Sequence, residues 1–258
     1  MAESLSHAEH LTLWEHLGEL RTRLVRVVIV VLAVFALTYA FRFRLWTWAQ
    51  KPFLETLARQ GHLPAAGLQP WAFTDLVEPF MSLVRLSFWA AGFLAAPFVF
   101  HELWGFIRPG LYERERRMVL PFVLATSGMF LGGAVFAYFE GFRFLGDILF
   151  QEAIRAGLRV NLSVGAYLDL FLYTLLSTGL MFELPVLVYF LARFRLVTAG
   201  WLLKYWRHST IVILLVSAFL TPGDVIATCI FFTVVLEALY FVSVAVAWLV
   251  QPRQEASK

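Results

Sequence analysis

Three carboxylates in this sequence stand where a carboxylate has something to do. In the polar run 106–117, FIRPGLYERERR, a helical reading pairs Glu113 with Arg117 at i,i+4 and leaves Glu115 facing Leu111 and Val119. Glu115 thus lacks a local partner, and Arg114, Arg116 and Arg117 around it keep stray cations away. Such a group can accept a guanidinium from another chain as a bidentate pair. Glu19, in HLGELRTRL at 16–24, is the second, with Arg23 as a ready intrahelical partner at i,i+4. Glu183 is the third, inside an apolar stretch and about 12 Å from its end. The plain readings are a solvated loop for Glu115, an interfacial anchor for the Glu19 helix, and an internal hydrogen bond for Glu183.

The elements that must position these groups are apolar helices. Of 258 residues, 60% are hydrophobic and 15% charged, well above the apolar share of a soluble domain. At about twenty residues per crossing the chain holds about six spans and no separate soluble domain. The fold class is therefore an all-α membrane protein of six transmembrane helices. The net charge of +3 is modest, and the basic residues cluster beside apolar segments. That placement suits anionic lipid headgroups and argues against nucleic acid. The single cysteine, Cys229, lies in an apolar run and rules out an intramolecular disulfide. The first apolar run is too long for a signal-peptide core, so it is expected to stay as a span.

Taken in order, Leu13, Leu17, Leu20 and Leu24 form a stripe opposite Glu15, Glu19 and Arg23, which predicts an amphipathic surface helix at about 10–23. Spans are expected at about 24–41, 81–103, 118–142, 168–191, 208–221 and 225–250. Between the first two, Trp46, Trp48, Trp71 and the run LWTWAQKPFLETLARQ predict interfacial helices capping the outside. Pro97 is expected to kink the second span, and Gly128, Gly132 and Gly133 to let a neighbour approach the third. The fifth is short for a hydrocarbon core. Glu183 is expected to lean over Gly179 and leave a slot for a partner helix. Glu237, in the last span, has no assigned role. Arg108, Arg114, Arg116, Arg117, Arg193, Arg195, Lys204 and Arg207 fall in loops on one side, and TPGD on the other has no base. The positive-inside rule then puts both termini in the cytoplasm. There is neither a HExxH helix nor a GxSxG elbow, and HELWG lacks the second histidine of a zinc site, so no catalytic, metal or cofactor role is expected.

Seven stretches, in this order, carry a family resemblance: HLGELRTRL at 16–24, KP at 51–52, FTDLVEPF at 73–80, FIRPGLYERERR, FAYF at 136–139, FELPV at 182–186 and TPGDV at 221–225. Together they resemble the TatC family, the large subunit of the twin-arginine protein translocase. Arg143 departs from the proline the family tends to carry after FAYF, which bears on the connection that follows. The resemblance implies a subunit that does no bond chemistry, recognises the consecutive arginines of signal peptides on folded cargo, and recruits single-span subunits of the TatA/TatB type. Export would draw on the proton-motive force across the cytoplasmic (inner) membrane of a prokaryote, with self-association among the expected contacts. By position, it implies signal-peptide binding by Glu19, Arg21, Phe106, Tyr112 and Glu115, and partner docking at Glu183. Pro52 and Asp224 are implied as structural positions.

Two other classes compete with this. A proton- or ion-coupled small-solute transporter would use Glu183 and Glu237 as a relay through the bundle. A membrane assembly scaffold would bind the single-span subunits and have no affinity for signal peptides.

Overall fold

Long runs of apolar residues with few helix breakers dictate long helices here, and the computed structural model describes them over residues 13–61, 70–73, 75–107, 119–157, 162–221 and 226–250. In chain order they are α1 (Leu13–Ala40), α2 (Arg42–Ala49), α3 (Lys51–Arg59), a two-residue strand β1 (Trp71–Ala72), α4 (Glu78–Ile107) and α5 (Val119–Phe136). A π-helical turn at Ala137–Gly141 leads into α6 (Phe142–Arg155), followed by β2 (Leu162–Ser163) and α7 (Val164–Met181). The remainder is α8 (Leu184–Arg193), α9 (Ala199–Lys204), α10 (Trp206–Leu220) and α11 (Ile226–Val250).

Five helical runs among the described residues are long and apolar enough to cross a membrane: His16–Ala40, Glu78–Ile107, Val119–Arg155, Val164–Arg193 and Thr228–Val250. The expected fifth span corresponds to α10, whose 15 residues reach only about 22 Å.

Three boundaries differ from the sequence reading. The surface helix and the first span are one uninterrupted 28-residue helix, α1. No proline separates Leu20 from Val25, and Arg23 and Arg26 of its first half reach Glu102 on α4. The third helical run continues past residue 142 to Arg155, because the π-helical turn rotates the face that follows and lets Phe142, Leu145 and Phe150 pack inward. The fourth span is divided at Phe182 and Glu183, where Pro185 in the first turn of α8 has no N–H to continue the ladder of α7. Pro97, in contrast, sits inside α4 without ending it.

At one end of the bundle α2, α3 and α6 build a cap whose core is Phe53, Leu57, Phe142, Leu145, Phe150, Tyr167 and Phe171. Tyr167 hydroxyl donates to the Ala49 carbonyl at 2.5 Å and Trp71 Nε1 donates to Gln50 Oε1 at 3.0 Å, so the aromatic packing leaves neither polar tip unpaired. β1 and β2 pair in parallel, Trp71 opposite Leu162, and tie the loops across this cap. Pro52 is buried in the first turn of α3, where a proline costs no hydrogen bond. Arg85 on α4 donates to Asp169 on α7 at the same end.

The close approach expected of the third span is made at Gly133. A Cβ there would lie 2.8 Å from the Thr178 carbonyl and from Phe182 Cγ, whereas Gly128 and Gly132 face open space. Gly179 on α7 reciprocates, with Phe130 of α5 2.9 Å from where its Cβ would be.

Candidate functional site

The end of the bundle opposite the cap brings the start of α1 against the end of α4. These two helices run antiparallel and are pinned towards the end of α1 and the first part of α4 by Thr38 Oγ1, which donates to the Ser87 carbonyl at 2.9 Å. Towards the start of α1, Arg23 lies between two carboxylates. Its Nε and Nη2 both donate to Glu19 Oε1, at 2.9 and 2.6 Å, and its Nη1 donates to Glu102 Oε2 at 2.8 Å. Arg26 Nη1 stands 3.8 Å from the other oxygen of Glu102. Glu102 is 6% exposed, while the Glu19 side chain keeps 28% of its surface.

Gly105, three residues past Glu102, makes this geometry possible. A Cβ there would overlap Arg23 Nη1 and lie 2.9 Å from its Cζ, so the guanidinium occupies the volume a side chain would need. One residue further, Phe106 stacks on His16 with centroids 4.2 Å apart and planes 15° from parallel. His16 Nδ1 in turn stands 3.8 Å from Glu19 Oε2.

Glu19 and Phe106, two of the expected site residues, are therefore neighbours through His16. Arg21 is exposed on the same stretch of α1. Tyr112, Glu115 and Asp224 lie outside the described residues. Glu102 is the residue the sequence reading misses, since HELWG carries no signal beyond an incomplete zinc motif. Its position at i−4 from Phe106 puts the two on one helix face, beside an α1 segment with more arginines than carboxylates.

A second polar site lies in the middle of the fold. Glu183 occupies the turn between α7 and α8, half-buried, with Oε1 buried and without a hydrogen-bond partner among the described residues. The slot expected over Gly179 is filled by Phe130, so any partner of Glu183 must come from another side. Glu237 on α11 accepts from Thr210 Oγ1 on α10 at 2.9 Å. A further polar contact joins the same two helices between Ser217 and Thr233 at 2.5 Å.

A family model described as Sec-independent protein translocase protein (TatC) matches residues 15–253. A Sec-independent protein translocase protein TatC of Koribacter versatilis is 36% identical over 245 residues, covering 95% of this chain and 88% of that protein. One of Helicobacter pylori strain J99 is 37% identical over 239 residues, covering 92% of this chain and 89% of its own length. Among solved structures, a crystal structure of the twin arginine translocase receptor TatC superposes with a TM-score of 0.71 at 25% identity, over 92% of this chain and 99% of that one. A crystal structure of the same receptor in the detergent DDM gives a TM-score of 0.75 at the same identity.

Proposed function

As this chain belongs to the TatC family of Sec-independent protein translocase proteins, we propose that it is the receptor subunit of a twin-arginine translocase. It is a transport protein of the membrane, and its work is recognition and assembly. The ligand is the signal peptide of a folded cargo protein, read through its consecutive arginines. The observation that carries this reading is the partly exposed Glu19 carboxylate beside the Phe106–His16 stack, at an end of the fold that also holds Arg21.

The chemistry suits reversible recognition. A guanidinium on a carboxylate forms charge-assisted hydrogen bonds of roughly 1.5–3 kcal/mol each. Two such sites, Glu19 and Glu115, take one arginine apiece, and the planar fork favours arginine over lysine. Phe106 gives the apolar part of the signal peptide a surface to pack on, and Arg21 and Tyr112 complete the site. Both termini and this site face the cytoplasm of a prokaryotic cell, the side on which cargo is made.

Glu183 docks a single-span subunit of the TatA/TatB type. Its buried oxygen without a partner among the described residues supports this, since an unsatisfied carboxyl in a span is costly until a donor reaches it. Anionic lipid headgroups meet the basic residues beside the spans and further copies of this chain meet the apolar outer faces; passage of cargo draws on the proton-motive force.

Crosslinking of a twin-arginine signal peptide to the chain in membranes tests the receptor reading. Glu19→Ala and Glu115→Ala should each lower the yield about tenfold while membrane insertion stays normal. Unchanged crosslinking in both variants would refute the site.

A further inference from the structure

We propose that Glu102 is a positioning residue of the signal-peptide site: by sharing Arg23, it keeps that guanidinium from neutralising Glu19. The inference rests on the receptor reading above and concerns how the receptor carboxylate stays available.

The difficulty it answers is internal to the site. Arg23 is one helical turn from Glu19 and directs two donors at Oε1, 2.9 and 2.6 Å away. If that were the whole arrangement, the pair would be neutral and would hold little attraction for an incoming cation. The third donor changes the count. Nη1 goes to Glu102 at 2.8 Å, and Glu102, only 6% exposed, has little water to replace it. A buried carboxylate keeps a bonded cation tightly, because losing it leaves an uncompensated charge in low dielectric. Gly105 supplies the space that lets the guanidinium reach in.

Two carboxylates around one guanidinium leave the cluster with one negative charge, and the geometry says where it is offered. Glu19 Oε1 is taken up by Arg23, while Oε2 has His16 Nδ1 at 3.8 Å and no hydrogen bond among the described residues. Arg26, 60% exposed and 3.8 Å from Glu102, is solvated and contributes weakly. An arriving guanidinium therefore meets Oε2 next to the Phe106–His16 stack, whose faces suit a planar cation. The series becomes Glu102, Arg23, Glu19, incoming arginine, with alternating sign.

The test measures fluorescence anisotropy of a labelled signal peptide with consecutive arginines, and of its lysine counterpart, on the purified full chain in detergent. Glu19→Gln should weaken arginine-peptide binding about tenfold. Glu102→Gln should do the same with Glu19 intact, since Arg23 then belongs to Glu19 alone. Removing both charges, in Arg23→Gln with Glu102→Gln, should restore affinity to within about twofold, a rescue that damaged packing would not show. Glu102→Asp, which keeps the charge but draws it back from Arg23, should weaken binding as Glu102→Gln does and serves if the latter does not fold. Wild-type affinity in Glu102→Gln or Glu102→Asp, or no rescue in the double variant, would overturn the role of Glu102. If wild type and Glu19→Gln bind alike, the receptor assignment itself fails and not this refinement of it.

Discussion

Glu19 and Glu183 are both carboxylates in an apolar chain, yet they are kept in opposite conditions. Glu19 stands at a helix start with a quarter of its surface open, bonded to an arginine that is itself divided between two acids. Glu183 stands in a break between two helices, with one oxygen buried and no donor bonded to that oxygen among the described residues. The first has its charge maintained by neighbours and suits a cationic ligand. The second has a buried oxygen without a donor among the described residues and suits a donor carried by another helix. The contrast assigns different partner chemistry to two places in the same molecule, and it can be attacked at either of them.

The largest effect is expected from filling the space beside Arg23. Gly105→Leu puts a side chain where Arg23 Nη1 lies, breaks its bond to the buried Glu102 and leaves the guanidinium to Glu19 alone. Twin-arginine peptide affinity should fall by about tenfold or more, measured on purified protein, while co-purification of a single-span partner persists. Equal loss of both would mean that the two carboxylates belong to one cooperative site. A smaller and opposite effect is expected from Glu183→Ala. Partner co-purification should drop by roughly two- to tenfold, the worth of one neutral hydrogen bond, and peptide affinity should not change.

Much of this contrast can be read in the sequence, and the part that cannot has a physical reason. Apolar run lengths predict the long helices, and tryptophans with amphipathic runs predict the cap. The positions of Glu19 and Glu183 as acids in unusual settings also come from sequence. Helix continuity is harder to read. The stripe of Leu17, Leu20 and Leu24 fits a surface helix as well as the first turns of a span, and only contact with α4 makes it the latter. Arg23 is 79 residues from Glu102 in the chain, so i,i+4 reasoning finds Glu19 and stops there. Pro185 is a signal for the break at Phe182 and Glu183, as a proline in the first turn of a new helix, but the apolar run at 168–191 reads through it as one span. The π-helical turn at Ala137–Gly141 carries no such mark; its effect is seen only in which face of α6 meets α3.

The smallest expected effect is also the sharpest test of the difference between the two acids. Glu183→Gln keeps the shape and one carbonyl-type oxygen but removes the ability to ionise. If a partner helix donates to Oε1, the amide oxygen accepts the same bond, and partner co-purification should stay within about twofold of wild type. At Glu19 the same exchange removes the charge that draws a guanidinium and should cost about tenfold in peptide affinity. The paired substitutions thus separate an acceptor from a charge with no change of volume at either position. A Glu183→Gln variant that loses its partner as fully as Glu183→Ala would show that Glu183 too works as an anion, and the partner would then have to bring a cation into the apolar bundle. That is a costlier arrangement than the one proposed, because a cation entering there must shed its water for a single counter-charge.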